Sequence, residues 1–200
     1  AVGNGIVEKN LTLDISNYMY DRFKELGIPV SITRYDDSTL SPNDRVNKIL
    51  GFYGDDPKVI VLSNHINAGG GDGAEVIYAL RNDEDLARES LNNISKAGQN
   101  VRRYYQRRLP SDPTKDYYFI LRDTGRTEPL LIEYGFIDSP NDDIGQLQNN
   151  LEDYVEGVIK AVADYVGVPY SAPGVASNTY VVKKGDSLYS IAKRFNVGVK

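Results

Sequence analysis

The chain has 200 residues, no cysteine, no tryptophan, one methionine, one histidine and a formal charge of −5. That composition excludes a disulfide framework, every thiolate-held metal and any metal site needing two histidines from these residues. It also argues against a nucleic-acid-binding body, and no apolar run approaches the roughly 20 residues of a membrane span. From Glu8 to Leu26, apolar residues at Leu11, Ile15, Met19, Phe23 and Leu26 recur every three or four positions and stop at Gly27. This is the pattern of an amphipathic helix. Ile28–Thr33 has a strand-like composition. Ser41-Pro42 supplies an N-cap and a first helical residue, opening a helix through Val46, Ile49 and Leu50. Val59–Leu62 is apolar on both faces, as in a buried strand. Ala74–Leu80 predicts another strand, and about 84–107 predicts one long helix. Tyr117–Leu121 and Leu130–Glu133 predict two more strands, and about 146–166 a closing helix. The alternation points to an α/β fold, a mostly parallel twisted sheet with helices on both faces.

Charge divides the chain. From Tyr180 onward there are five basic residues and one acidic, whereas residues 1–179 hold 18 basic and 27 acidic. Gly167–Asn178, rich in Pro, Gly, Ser and Ala, has the composition of a linker. The expected domains are therefore 1–166, a linker at 167–178, and 179–200.

In open α/β sheets, ligands bind beyond the carboxyl ends of strands. Two segments satisfy that rule. Val59-Ile-Val-Leu-Ser-Asn-His65-Ile-Asn67 runs from an apolar strand into a histidine and then into glycines. Pro129-Leu-Leu-Ile-Glu133 delivers a carboxylate at the end of an apolar strand, where a charge needs a partner. Glu8 opens the first helix, where a carboxylate is favoured by the helix dipole anyway. The glycines after His65 lack the lysine and helix of a phosphate loop, and Ser63 lacks a nucleophile elbow.

In order, Gly3–Asn10, Thr33–Asp36, Leu40–Arg45, Ser63–Ala68 and Pro129–Ile137 resemble the signature of zinc-dependent N-acetylmuramoyl-L-alanine amidases, over residues 1–166. The resemblance implies that Glu8 and His65 bind Zn2+ and that Glu133 is the catalytic carboxylate. Asn67 and Arg34 are expected to face substrate or to be structural. The family's first ligand is a histidine in an Asp-x-Gly-His-Gly segment that would precede Ala1. The chain is thus expected to be truncated there, with weaker zinc binding and impaired activity. Thr179–Val197 is similar to the opening strand and first helix of a LysM module, which binds N-acetylglucosamine-containing glycans. Its second helix and closing strand would follow Lys200. Together these imply a monomeric peptidoglycan hydrolase, acting outside the cell or at the cell wall, that cuts muramic acid from L-alanine. Two rivals are an inactive cell-wall-binding protein that keeps the amidase fold, and a metal-free glycan hydrolase using Glu8 and Glu133 as paired carboxylates.

Overall fold

In a computed structural model, residues 1–174 are described, and the LysM-like segment at 179–200 lies outside them. A short hairpin, β1 (Val2–Gly3) and β2 (Ile6–Val7), leads into α1 (Glu8–Glu25). Then come α2 (Pro42–Tyr53), β3 (Ile60–Asn67), β4 (Ala74–Tyr78), α3 (Asp85–Lys96) and β5 (Val101–Tyr105). A second hairpin, β6 (Arg108–Leu109) and β7 (Asp112–Asp116), is followed by α4 (Phe119–Arg122) and β8 (Glu128–Phe136). Helices α5 (Asp143–Asn149) and α6 (Leu151–Tyr165) close the body.

The central sheet has the order β3-β8-β4-β5. β3 and β8 are parallel, β8 and β4 antiparallel, and β4 and β5 parallel. Two of the three pairings are therefore parallel, in keeping with a mostly parallel α/β sheet. On one face Ile66, Val76, Leu130, Ile132 and Tyr134 pack against α1, α3 and α6. On the other, Val61, Ile77 and Leu131 pack with Ile49 of α2 and with Ile120 and Leu121 of α4. That second cluster ends near the middle of the strands. The sheet positions beyond it on the same face are His65, Glu133 and Glu75.

Several elements differ from the sequence reading. The segment expected as one helix over 84–107 is α3, then a turn at Gly98 (φ 105°), then strand β5. Gly98 adopts a left-handed conformation that L side chains disfavour, and Val-Arg-Arg-Tyr-Tyr suits a strand. Tyr117–Leu121 forms no strand; its apolar residues enter the core through α4. Ile28–Thr33 has no ladder partner and is irregular. It lies across from β3, and together they line a cleft of about 1080 Å³. The closing helix begins earlier and breaks at Asn150 into α5 and α6.

The compact body runs to Tyr170. Val168 donates its amide to the Ala163 carbonyl, and the Tyr170 hydroxyl donates to Glu156 at 2.7 Å. The first residues of the expected linker thus pack on the body.

Candidate active site

Strand β3 changes character along its length, from apolar Ile60-Val-Leu to Ser63-Asn-His-Ile-Asn67. Alternation puts Ser63 and His65 on the partly open face. The His65 ring touches Glu8 through Nδ1 at 3.3 Å and the Ser63 hydroxyl through Nε2 at 3.1 Å. Glu8 Oε1 also accepts the Ile66 amide at 3.3 Å, and Oε2 accepts from the Ala1 nitrogen at 2.6 Å. Burial pushes the Glu8 carboxyl upward, whereas the hydrogen bonds from His65 and the Ile66 amide lower it and favour its ionised form. Glu8 is therefore an ionised oxygen donor beside an imidazole nitrogen.

Glu133 stands directly opposite His65 in the β3–β8 register. Its Oε2 is buried and has no hydrogen-bond partner. Burial raises its carboxyl to about 7; the neighbouring His65 opposes the shift, and Glu8 and Glu75 reinforce it. A buried carboxylate oxygen left unpaired is costly unless it is protonated or has a chemical use.

Glu8 and His65 fit as two of the three protein ligands that a catalytic zinc takes. Two ligands bound at about 2.0–2.1 Å with a tetrahedral angle stand about 3.3 Å apart, which is the Glu8 Oε1–His65 Nδ1 separation. The ring nitrogen facing Ser63 would then be held by its hydroxyl, a second partner that orients the imidazole. Glu133 does not join these two in one set of donors lying within 4.8 Å of one another. A carboxylate beside the pair suits proton transfer better than ligation.

The remaining expected residues have local partners. Arg34 donates to the carbonyls of Asp36 (2.9 Å) and Lys9 (2.8 Å), bracing its loop against the start of α1. Asn67 Oδ1 accepts the Ala68 amide at 2.9 Å and shapes the turn into the glycine loop. The amides of Gly69 and Gly70 donate to Asp138 at 2.9–3.0 Å, so that loop already encloses an internal carboxylate. Among the described residues, Asp72, Asp142 and Asp143 form the acidic cluster with ligand-like spacing. Its oxygens are engaged: Asp143 by Gly73, Phe136 and Gln99, Asp72 by Ser139 and Asn100, and Asp142 by Asn100. These bonds clamp the loop after β3 to the segment after β8.

Sequence reasoning missed Ser63 as the imidazole's partner, and it missed Glu75. Glu75 is only 3% exposed and stands opposite Glu133 on β4. Its one sequence signal was a carboxylate inside an otherwise apolar strand, Ala-Glu-Val-Ile-Tyr.

The α/β sheet thus sets a Glu–His pair beside a buried carboxylate at one end of its strands. Residues 1–164 match the family model for N-acetylmuramoyl-L-alanine amidase, and residues 180–200 match the LysM domain model. The chain belongs to the N-acetylmuramoyl-L-alanine amidase family. A solved structure, the catalytic domain of the amidase CwlV from Bacillus (Paenibacillus) polymyxa var. colistinus, superposes with a TM-score of 0.70 at 20% identity, covering 84% of this chain and 91% of that one. The amidase AmiC2 of Nostoc punctiforme gives 0.69 at 20% identity, over 84% and 89%. At these identities the likeness speaks for the fold. The uncharacterized protein YqiI of Bacillus subtilis (strain 168) is 28% identical over 144 residues, 71% of this chain. The match spans 66% of YqiI, just under two thirds of its length.

Proposed function

We propose that this chain hydrolyses the amide joining the lactyl group of N-acetylmuramic acid to L-alanine in peptidoglycan, with Glu8 and His65 holding zinc and Glu133 carrying the proton. The observation that carries the reading is Glu133 Oε2, buried and unpartnered, opposite the histidine of a zinc-compatible pair. When bound there, zinc supplies polarisation of the scissile carbonyl and a lowered pKa for water. Glu133, held near neutrality by burial, accepts a proton from the attacking water and returns it to the departing alanine nitrogen. Glu8 stays ionised throughout, which suits a ligand and not a proton carrier. Ser63 fixes the His65 ring so that its other nitrogen faces Glu8.

The LysM match at 180–200 supports tethering to wall glycan, which raises the effective concentration of the catalytic body at an insoluble substrate. That substrate implies action outside the cell or at the wall. No helix among the described residues is long and apolar enough to cross a membrane.

The test pairs zinc binding with chemistry. Calorimetric zinc titration is expected to show binding that His65→Asn and Glu8→Gln each abolish. Hydrolysis of purified wall is expected to expose L-alanine α-amines, and to fall by about a hundredfold or more with Glu133→Gln or with a chelator. Hydrolysis that persists at an unreduced rate in either case would overturn the assignment.

A further inference from the structure

The row that holds His65 and Glu133 continues across the whole sheet. His65 pairs with Glu133, Glu133 with Glu75, and Glu75 with Arg103. Residues directly opposite one another project from the same face, so four strands present imidazole, carboxylate, carboxylate and guanidinium in line. The β4–β5 ladder is irregular at this point. Ala74 pairs with Val101 and Glu75 with Arg103, leaving Arg102 as the extra residue of a bulge. A bulge re-aims its side chain. Here it lets Arg102 and Arg103 both reach Glu75 Oε1, at 2.8 and 3.2 Å.

This pairing is lopsided. One buried carboxylate faces two guanidiniums, leaving a net positive charge, and the arginine side chains are 42% and 58% exposed. Each binds Glu75 through Nε alone; among the described residues no hydrogen bond engages their Nη atoms. Aromatic rings support both planes, Phe136 at 5.2 Å from Arg102 and Tyr105 at 4.2 Å from Arg103. Two oriented forks with open Nη edges suit bidentate recognition of a carboxylate or a phosphate.

We propose that Arg102 and Arg103 form a recognition subsite for a carboxylate of the substrate's peptide stem. The inference rests on the amidase reading. In that reaction the muramic acid side offers no free carboxylate, because its lactyl carboxyl is consumed in the scissile amide. A stem peptide that is not cross-linked through its terminus carries at least its terminal one. Arg103 lies two strand spacings from Glu133, roughly 10 Å. Extended peptide covers that in about three residues. The subsite would thus read an acid group two or three residues beyond the cut.

The experiment is calorimetric binding of soluble muramoyl tripeptides to the full chain with chelator present, so that nothing is cleaved. One ligand has free carboxylates and its twin has them amidated. Arg102→Lys/Arg103→Lys keeps the counter-charge beside Glu75, and hence the fold, but loses the forks. Wild type is expected to bind the free acid about tenfold or more tighter than the amide. The lysine variant is expected to bind both alike. Equal affinity of wild type for the two peptides, or a preference that survives in the lysine variant, would overturn the subsite. An arginine-dependent preference for poly(glycerol phosphate) over the free-acid peptide would assign the anion to a wall polymer and overturn it too. Failure to bind either peptide would refute the amidase reading itself, a result distinct from loss of discrimination.

Discussion

Glu128, at the start of β8, gives a stability prediction that is independent of the active site. It is 6% exposed, and its Oε1 is buried without a partner. Its other oxygen accepts from Asn82, whose own Oδ1 is likewise buried and unsatisfied. Burial, reinforced by Asp83, raises its carboxyl from 4.5 to about 7. The sign follows directly. Below pH 4.5 the folded and unfolded chains are both protonated, and Glu128 makes no difference. Between 4.5 and about 7 the unfolded chain ionises first, so native stability falls as pH rises and levels off above about 7. Full burial would make the loss about 3 kcal/mol, and screening at the rim of the sheet reduces it to about 1–2 kcal/mol. Glu128→Gln removes the titration and adds an amide donor next to the unsatisfied Asn82 oxygen. Urea unfolding from pH 4 to 9 is expected to show wild type and variant diverging through this window, with the variant more stable at pH 8. Wall hydrolysis is expected to be unchanged, since Glu133 lies five residues further along β8. Parallel stability profiles, or a variant that is weaker at pH 8, would refute the reasoning.

Glu133→Gln is expected to cut turnover by about 10²–10⁴-fold without lowering zinc affinity, read by amine release and by zinc titration. Glu156→Gln should cost about 3 kcal/mol in urea unfolding, because this buried carboxylate accepts from Arg22, Tyr18 and Tyr170 and ties α1 to α6 and to the end of the body. Gly71→Ala would bring a Cβ within 2.4–2.8 Å of the Phe136 ring. Displacing the ring should cost about 1–3 kcal/mol and speed hydrogen exchange at Gly69 and Gly70.

Local signals sufficed where an element's own sequence determines it. Ser41 caps α2 through the Asp44 amide, and Pro42 takes its first position. The four-residue spacing of Ile15, Met19 and Phe23 is the buried stripe of α1. Elements that depend on distant partners were less legible. Ile28–Thr33 has strand chemistry but no ladder, and pairing, not composition, makes a strand. In the segment read as one long helix, Gly98 was the overlooked stop. That misreading also concealed the arginine pair, because Arg102 and Arg103 in a helix would point different ways from their places in β5. Glu8, His65 and Glu133 were recognisable from the order of the motifs that carry them, Glu8 opening α1 and His65 and Glu133 each following an apolar run. Glu75 is the second residue of β4, where a carboxylate reads as solvent-facing until its partners on β5 are known.

The bulge at Arg102 also affects tolerance to deletion. In a regular strand, losing one residue turns every later side chain to the opposite face. In β5 the extra residue is already present, so deleting Arg102 would leave Arg103 opposite Glu75 and Tyr105 opposite Ile77. A gene could lose that codon and retain the sheet, giving up one guanidinium and nothing of the core. In this strand, anion recognition can be changed by insertion and deletion as readily as by substitution.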